Sequence, residues 1–247
     1  MTQVDRKGRT ILHLASIYGY MNVASFIVDN IITSTKDTYL RKQYINSTDY
    51  KGRTPLFYAV AEGRLGVARL LIERGANVEV VTNERHLQPG STALMACAEK
   101  NTWECSKLLI QKGADILVVR QDGADATYIA ARYGHHKIIQ QFVESDYVQV
   151  IVNRPTFRGR TPLLTAAFHG HVKVCQILLE NRGNIDHQDV DNLTALICAS
   201  SEGHLDLVKW LVRNGANINK RDKFRKTALT SAEANAHMEV VTFLKKM

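Results

Sequence analysis

Proline is scarce in this chain, four residues in 247, and so are cysteine at four and tryptophan at two. Few prolines leave long stretches free to be helical, since proline inside a helix removes a backbone donor and clashes with the preceding turn. Four cysteines without a CxxC pair or a Cys/His cluster exclude a disulfide-stapled scaffold and a zinc ribbon. Cys97, Cys105, Cys175 and Cys198 all fall inside apolar helical patterns, so they read as buried free thiols in a reducing compartment. No apolar run reaches the roughly 18 to 20 residues that a membrane-spanning helix needs, and the opening MTQVDRKGRT lacks the apolar core of a secretory signal. A soluble chain in the cytoplasm or nucleus is the expectation.

Catalytic signatures are missing as well. There is no GxxxxGK[ST], no HExxH, and no GxSxG followed by suitably placed Asp and His. The reading is therefore of a protein that is not an enzyme and needs no cofactor or metal.

What is present is repetition. GRTILHLASIYGY from Gly8, GRTPLFYAVAEGR from Gly52 and GRTPLLTAAFHGH from Gly159 are near-copies. Weaker copies start at Gly90, Gly123, Asn192 and Arg225. The register residues Thr10, Thr54, Thr92, Asp125, Thr161, Thr194 and Thr227 are spaced 44, 38, 33, 36, 33 and 33, so the base period is 33. Thr54 followed by Pro55 is a side-chain N-cap with proline at the first helical position, so a helix starts there. A second apolar segment follows in each unit, as in LGVARLLIERGAN and LDLVKWLVRNGAN, with helical spacing and a helix-ending glycine.

The pattern Gly-Arg-Thr-Pro-Leu through Gly-His to Leu-Leu-x-x-Gly-Ala-Asn resembles the ankyrin repeat over nearly the whole chain. The resemblance implies an all-α solenoid of stacked helix-turn-helix units, with hairpin-like loops beside a groove lined by loops and first helices. About seven repeats are expected, near 5–46, 49–81, 87–119, 120–153, 156–188, 189–221 and 222–247, forming a single domain. Three places break the period. IITSTKDTYLRKQYIN is expected to extend a second helix and add a protruding loop, TNERHLQPG to form a longer turn around Gln88, and SDYVQVIVNRPTF to put Asp146 where a helix-ending glycine belongs.

Leu70, Leu71, Leu108, Leu109, Leu178, Leu179 and Leu211 recur as core positions, with small residues such as Ala59, Ala130, Ala166 and Ala199 allowing close helix approach. Trp103 and Trp210 read as core too. His135, His171, His204 and His237 share one turn position, which suggests a local hydrogen bond in each unit rather than metal ligation. His13 sits at the family's Thr-Pro-Leu-His position.

In an ankyrin-like unit the residues free to bind lie around the register glycine and just before the Gly-His turn. Here those positions hold Arg6, Lys7, Arg9 and Tyr18, then Tyr50, Lys51 and Arg53, then Arg132 and Tyr133, and finally Phe157, Arg158, Arg160, Phe168 and His169. Aromatic rings interleaved with guanidinium groups are typical interface anchors. With a formal charge of +8 they suit a partner protein or peptide segment that is acidic or mixed acidic and hydrophobic. The alternative is an anionic ligand such as RNA, an oligonucleotide or a phosphoinositide. Against it stand the acidic interruptions Asp122, Asp189 and Asp191. A further alternative is the recognition arm of a larger enzyme, because the first repeat shows no polar cap and solenoids need polar ends. Charge reversal at Arg158 and Arg160 is expected to weaken capture without lowering stability.

Overall fold

The computed structural model describes residues 3–34, 37–83 and 90–247. Among them every regular element is a helix, sixteen in all. Contacts gather them into two compact units, 1–121 and 122–247.

The first unit holds α1 (Ile11–Tyr18), α2 (Met21–Ser34), α3 (Thr38–Ile45), α4 (Pro55–Ala61), α5 (Leu65–Glu73), α6 (Ala93–Lys100) and α7 (Trp103–Gln111). The second holds α8 (Ala126–Tyr133), α9 (His136–Val143), α10 (Val148–Ile151), α11 (Pro162–Phe168), α12 (Val172–Glu180), α13 (Ala195–Ser201), α14 (Leu205–Arg213), α15 (Ala228–Ala234) and α16 (Met238–Leu244). First helices pack side by side, α1 on α4 on α6 in one unit and α8, α11, α13 and α15 in the other. Each also packs antiparallel on the second helix of its own repeat.

The register residues are the caps that the sequence indicates. Thr10, Thr54, Thr92, Asp125, Thr161, Thr194 and Thr227 each accept the N–H of the third helical residue. Such a cap contributes about 1 kcal/mol, and seven-residue helices depend on it because they are too short to be stable alone. At the other end, Gly19, Gly63, Gly134, Gly170 and Gly203 take left-handed backbone, and Asn101 and Ala236 do so without being glycine. The following N–H then reaches back five residues, as from His171 to the Ala166 carbonyl at 2.9 Å. Chain reversal is thus set by local backbone geometry, and the second helix can fold back onto the first.

Leu71, Leu109, Leu178 and Leu211 are fully buried with Ala59, Ala130, Ala166 and Ala199. Truncating one such leucine to alanine costs about 2 to 5 kcal/mol. Leu179 departs from its expected place and is half-buried. Ile177 and Leu178 fill the Leu-Leu position of that repeat, so Leu179 falls one residue outward, where Ile72 and Ile110 are also half-buried. Trp103 and Trp210 are half-buried rather than core. Trp210 faces an open cavity of about 560 Å³ with Leu179, Ile185 and Asn214.

The insertions resolve differently from expectation. α2 is extended to 14 residues as expected, but the residues after it form a separate helix, α3, capped by Asp37 through a 2.8 Å bond from the Tyr39 N–H. At the third break Asp146 does not take left-handed backbone. α9 closes on Glu144 with right-handed geometry, and the added α10 and its C-cap residue bury Ile151 and Val152. In the fifth repeat Arg182 occupies the glycine position at φ 67°. Residues 84–89, with Gln88 among them, lie outside the described residues.

Candidate functional site

Four of the loops are built on a turn closed by one aspartate, and in the loop of Phe157, Arg158 and Arg160 the hydroxyl of Thr156 accepts the Arg160 N–H at 3.3 Å. Asp5 Oδ1 accepts the N–H groups of Lys7 and Arg9, at 2.8 and 3.0 Å. Asp49 does the same for Lys51 and Arg53, Asp189 for Asp191 and Leu193, and Asp222 for Phe224 and Lys226. Neighbouring loops are joined edge to edge by a backbone bond, Tyr50 to the Lys7 carbonyl at 3.1 Å and Phe157 to the Asp122 carbonyl at 3.1 Å. The loop rows are therefore held in fixed register.

These turns divide the candidates into two groups. Arg9 is engaged by Asp5, Nε to Oδ2 at 2.8 Å, and that bond with the backbone donors holds the Asp5 carboxyl down to about 2. Arg53 is engaged by Asp49 at 3.1 Å and lies 4.8 Å from the Tyr58 ring centre. Burial pushes the Asp49 carboxyl up, but bonds from the Arg53 and Lys51 amides and the Tyr58 hydroxyl bring it below the usual carboxylate range. Arg160 lies 3.4 Å from Asp189 and 5.8 Å from the Phe168 ring centre. Arg9, Arg53 and Arg160 thus hold turns together, while Arg6, Lys7, Lys51 and Arg158 extend outward as exposed side chains.

Two aromatic candidates also have a structural task. The Tyr50 ring covers Gly8, so that a Cβ there would stand 2.6 Å from the ring, and the Phe157 ring covers Gly123 in the same way at 2.9 Å. Both rings nonetheless remain more than 70% exposed. Tyr18 stacks on Tyr20, centroids 5.6 Å apart, at the end of α1.

The most organised group lies in the second unit, at the C-terminal ends of α8 and α11. Arg132 stands 5.8 Å from the Tyr133 ring centre, and the Phe168 ring meets His169 edge-on at 5.1 Å. His171 lies between them and donates its Nε2–H to the Arg132 carbonyl at 3.1 Å. Equivalent bonds run from His204 to the Phe168 carbonyl at 3.0 Å and from His237 to the Ser201 carbonyl at 2.9 Å. The expected histidine hydrogen bond exists, but it crosses to the preceding repeat instead of staying in its own. In the first unit Arg64 and Thr102 stand at this position, bonding the carbonyls of Ile17 at 3.1 Å and Val60 at 2.7 Å. Burial, with His171 and Arg132 nearby, lowers the pKa of His169, so its ring is neutral near pH 7.

Electrostatically the loops differ from the sequence expectation. Asp189 is buried and Asp122 binds the Ala124 N–H within its turn, whereas Asp191 pairs with Lys223 at 2.5 Å. Asp191 nonetheless remains partly exposed, and its pKa is lowered first by the Lys223 bond and then by the nearby charges of Arg160 and Arg158. The turn-closing aspartates and the inter-repeat histidine bonds were not read from the sequence, although Asp three residues before the register position was the available signal, as D-x-x-G at Asp5 and Asp49 and with Asn192 or Arg225 in place of the glycine after Asp189 and Asp222.

The ankyrin-repeats family model, itself three copies long, matches residues 1–82, 79–153, 142–222 and 182–247. The chain is similar to the probable 26S proteasome regulatory subunit p28 of Saccharomyces cerevisiae, 27% identical over 197 residues that cover 79% of each chain. It is also similar to the ankyrin repeat protein nuc-2 of Neurospora crassa, 28% identical over 78% of this chain and 16% of that protein. An ankyrin repeat and KH domain-containing protein of Caenorhabditis briggsae is 32% identical over 58% of this chain and 5% of its own length. The chain thus spans a small part of two of these three relatives. Among the described residues no helix is long and apolar enough to cross a membrane.

Proposed function

We propose that this chain, which belongs to the ankyrin-repeat family, captures a partner protein by seating an acidic and apolar segment against the first-helix ends of residues 122–247. Ankyrin repeats are in general protein-interaction modules, and the particular surface is read from geometry. The observation that carries it is the group Arg132, Tyr133, Phe168 and His169, whose backbone is clamped by His171 and His204 while Arg132, Tyr133 and His169 are exposed and the Phe168 ring is half-buried beside them. A guanidinium beside aromatic rings that need not be ordered on binding meets a carboxylate and an adjacent apolar side chain at low entropic cost. Arg158 and Phe157, at the loop tip, supply a second basic and aromatic pair for a longer segment.

The test is affinity capture with the folded chain, followed by mass spectrometry, comparing wild type with Arg132→Glu and Arg158→Glu. Proteins lost from both variants, with affinity for the recovered segment weakened about tenfold or more, support the reading. Unchanged capture removes this face. An oligonucleotide that binds instead, with affinity falling steeply as salt rises, would move the reading to an anionic polymer.

A further inference from the structure

The loops of three consecutive repeats within residues 122–247 form one row. The Val190 N–H donates to the Arg158 carbonyl at 3.2 Å, and the Lys223 N–H donates to the Asp191 carbonyl at 2.9 Å. Each loop carries one apolar side chain at its tip: Phe157 is 74% exposed, Val190 64% and Phe224 70%. Scattered apolar side chains on a surface are ordinary, but three in register along one edge mark a place of contact. The exposure of Phe224 is set by its turn. Lys7, Lys51 and Arg158 occupy the same turn position and are also exposed, although a further loop is bonded beside each of them.

The charges around these tips are of one sign. Residues 220–226 read KRDKFRK. The one acid among them, Asp222, closes the turn by accepting the Phe224 and Lys226 N–H groups, both at 2.8 Å. Lys223 pairs with Asp191 at 2.5 Å, which neutralises the carboxylate next to Val190. Arg158, Arg221, Arg225 and Lys226 are exposed and make no ion pair among the described residues. Arg225 also holds left-handed backbone, φ 63°, where the corresponding loops have Gly123 and Gly159. Glycine would be less strained there, so the guanidinium is retained against the preference of the backbone.

We infer that this row is a docking edge for the surface of an anionic lipid bilayer. Phe157, Val190 and Phe224 enter the headgroup boundary, and the four unpaired cations meet lipid phosphates and carboxylates. Apolar tips bury their area at the acyl boundary, and each cation near the surface adds attraction to anionic headgroups. The order along the row separates a bilayer from RNA. A phosphate backbone is gripped by an unbroken track of cations, whereas here Val190 and the neutralised Asp191 interrupt the track. A fluid surface closes over isolated side chains at any spacing, so the interruption becomes a third anchor. A protein partner would have to supply a matching pocket for each tip. Phe224, Arg225 and Lys226 take no part in the partner surface around Arg132, so the two readings fail separately.

Co-sedimentation of the folded chain with phosphatidylcholine vesicles containing about one-third phosphatidylserine tests the inference, with pure phosphatidylcholine vesicles as the reference. Arg225→Gly relieves the left-handed strain. It is expected to melt no lower than wild type while binding about fivefold more weakly, the effect of one cation lost near the surface. Phe224→Ser is expected to weaken binding about tenfold and to leave the melting temperature in place, because the ring is exposed. Lys173→Gln removes the same charge from an exposed position on α12 and is expected to bind as wild type does. Binding that needs phosphatidylserine, falls as salt rises and drops in both loop variants but not in Lys173→Gln supports the inference. Absence of binding at low salt, retention in either loop variant, an equal loss in Lys173→Gln, or capture of an oligouridylate in place of vesicles would each overturn it.

Discussion

The Nε of Arg160 lies 3.4 Å from Oδ2 of Asp189, joining the loop of the fifth repeat to the turn of the sixth. Asp189 is buried, and its other oxygen binds the N–H groups of Asp191 and Leu193, both at 2.9 Å. Arg160 is therefore the counter-charge of a buried turn. Arg160→Glu is expected to destabilise the protein by about 1 to 2 kcal/mol, since the arginine is one-third exposed and partly screened. Arg158→Glu, one turn residue away and fully outward, is expected to leave the melting temperature in place. Thermal denaturation of both variants distinguishes a binding arginine from a structural one.

The histidine position couples repeats through shape as well as hydrogen bonding. Gly170 has φ +73°, and a Cβ there would lie 2.8 Å from the His204 ring. His204→Ala removes the bond to the Phe168 carbonyl, an expected loss of about 1 kcal/mol. Gly170→Ala adds left-handed strain to the clash and is expected to cost about 2 kcal/mol or more. In the double variant the clash partner is gone, so the total falls below the sum of the single effects. Chemical denaturation of the four proteins measures that coupling; strict additivity would mean that glycine and histidine do not share a contact.

Both the fold and its caps were legible because they depend on local chemistry repeated seven times. A threonine at a fixed register, a left-handed glycine and a buried leucine each act within one unit. The candidate site was legible in part. Position within the repeat located Tyr133, Phe157 and Phe168, but not that Arg9, Arg53 and Arg160 are held by Asp5, Asp49 and Asp189, because those pairs depend on a turn that brings acid and base together. The same limit hid Asn46 and Asn153. Each accepts a backbone N–H at 2.7 Å from the neighbouring repeat, Asn77 and Asn184 respectively, at 31 residues' separation. α3 and α10 were unreadable for another reason: insertions have no second copy to fix their register.

The four cysteines should be inert in the native protein. All are buried and free, and burial pushes the thiols of Cys175 and Cys198 up to about 12 and that of Cys105 to about 11. The nucleophile is the thiolate, so little of it exists at neutral pH. Labelling with an aromatic disulfide reagent at pH 8 is expected to be slow in buffer and to reach all four sites rapidly in denaturant. Fast native labelling of any one would show that its helix pair opens readily.

Asp125 makes stability depend on pH. It caps α8 where six other repeats use threonine, accepting the Tyr128 N–H at 2.8 Å, but its second oxygen is buried without a partner. Burial raises its pKa to about 6 from 3.8, against smaller opposing effects of that N–H and of Arg154. The folded state consequently binds more protons than the unfolded state between about pH 4 and pH 6, so stability falls as pH rises through that window and levels off above it. The shift corresponds to about 1 to 3 kcal/mol lost by pH 7. Asp125→Thr keeps the cap and removes the charge. It is expected to melt higher than wild type at pH 7 and to match it more closely at pH 4, with the difference growing across the window. Equal melting temperatures at both pH values would mean that water reaches the carboxylate and solvates it in the folded protein.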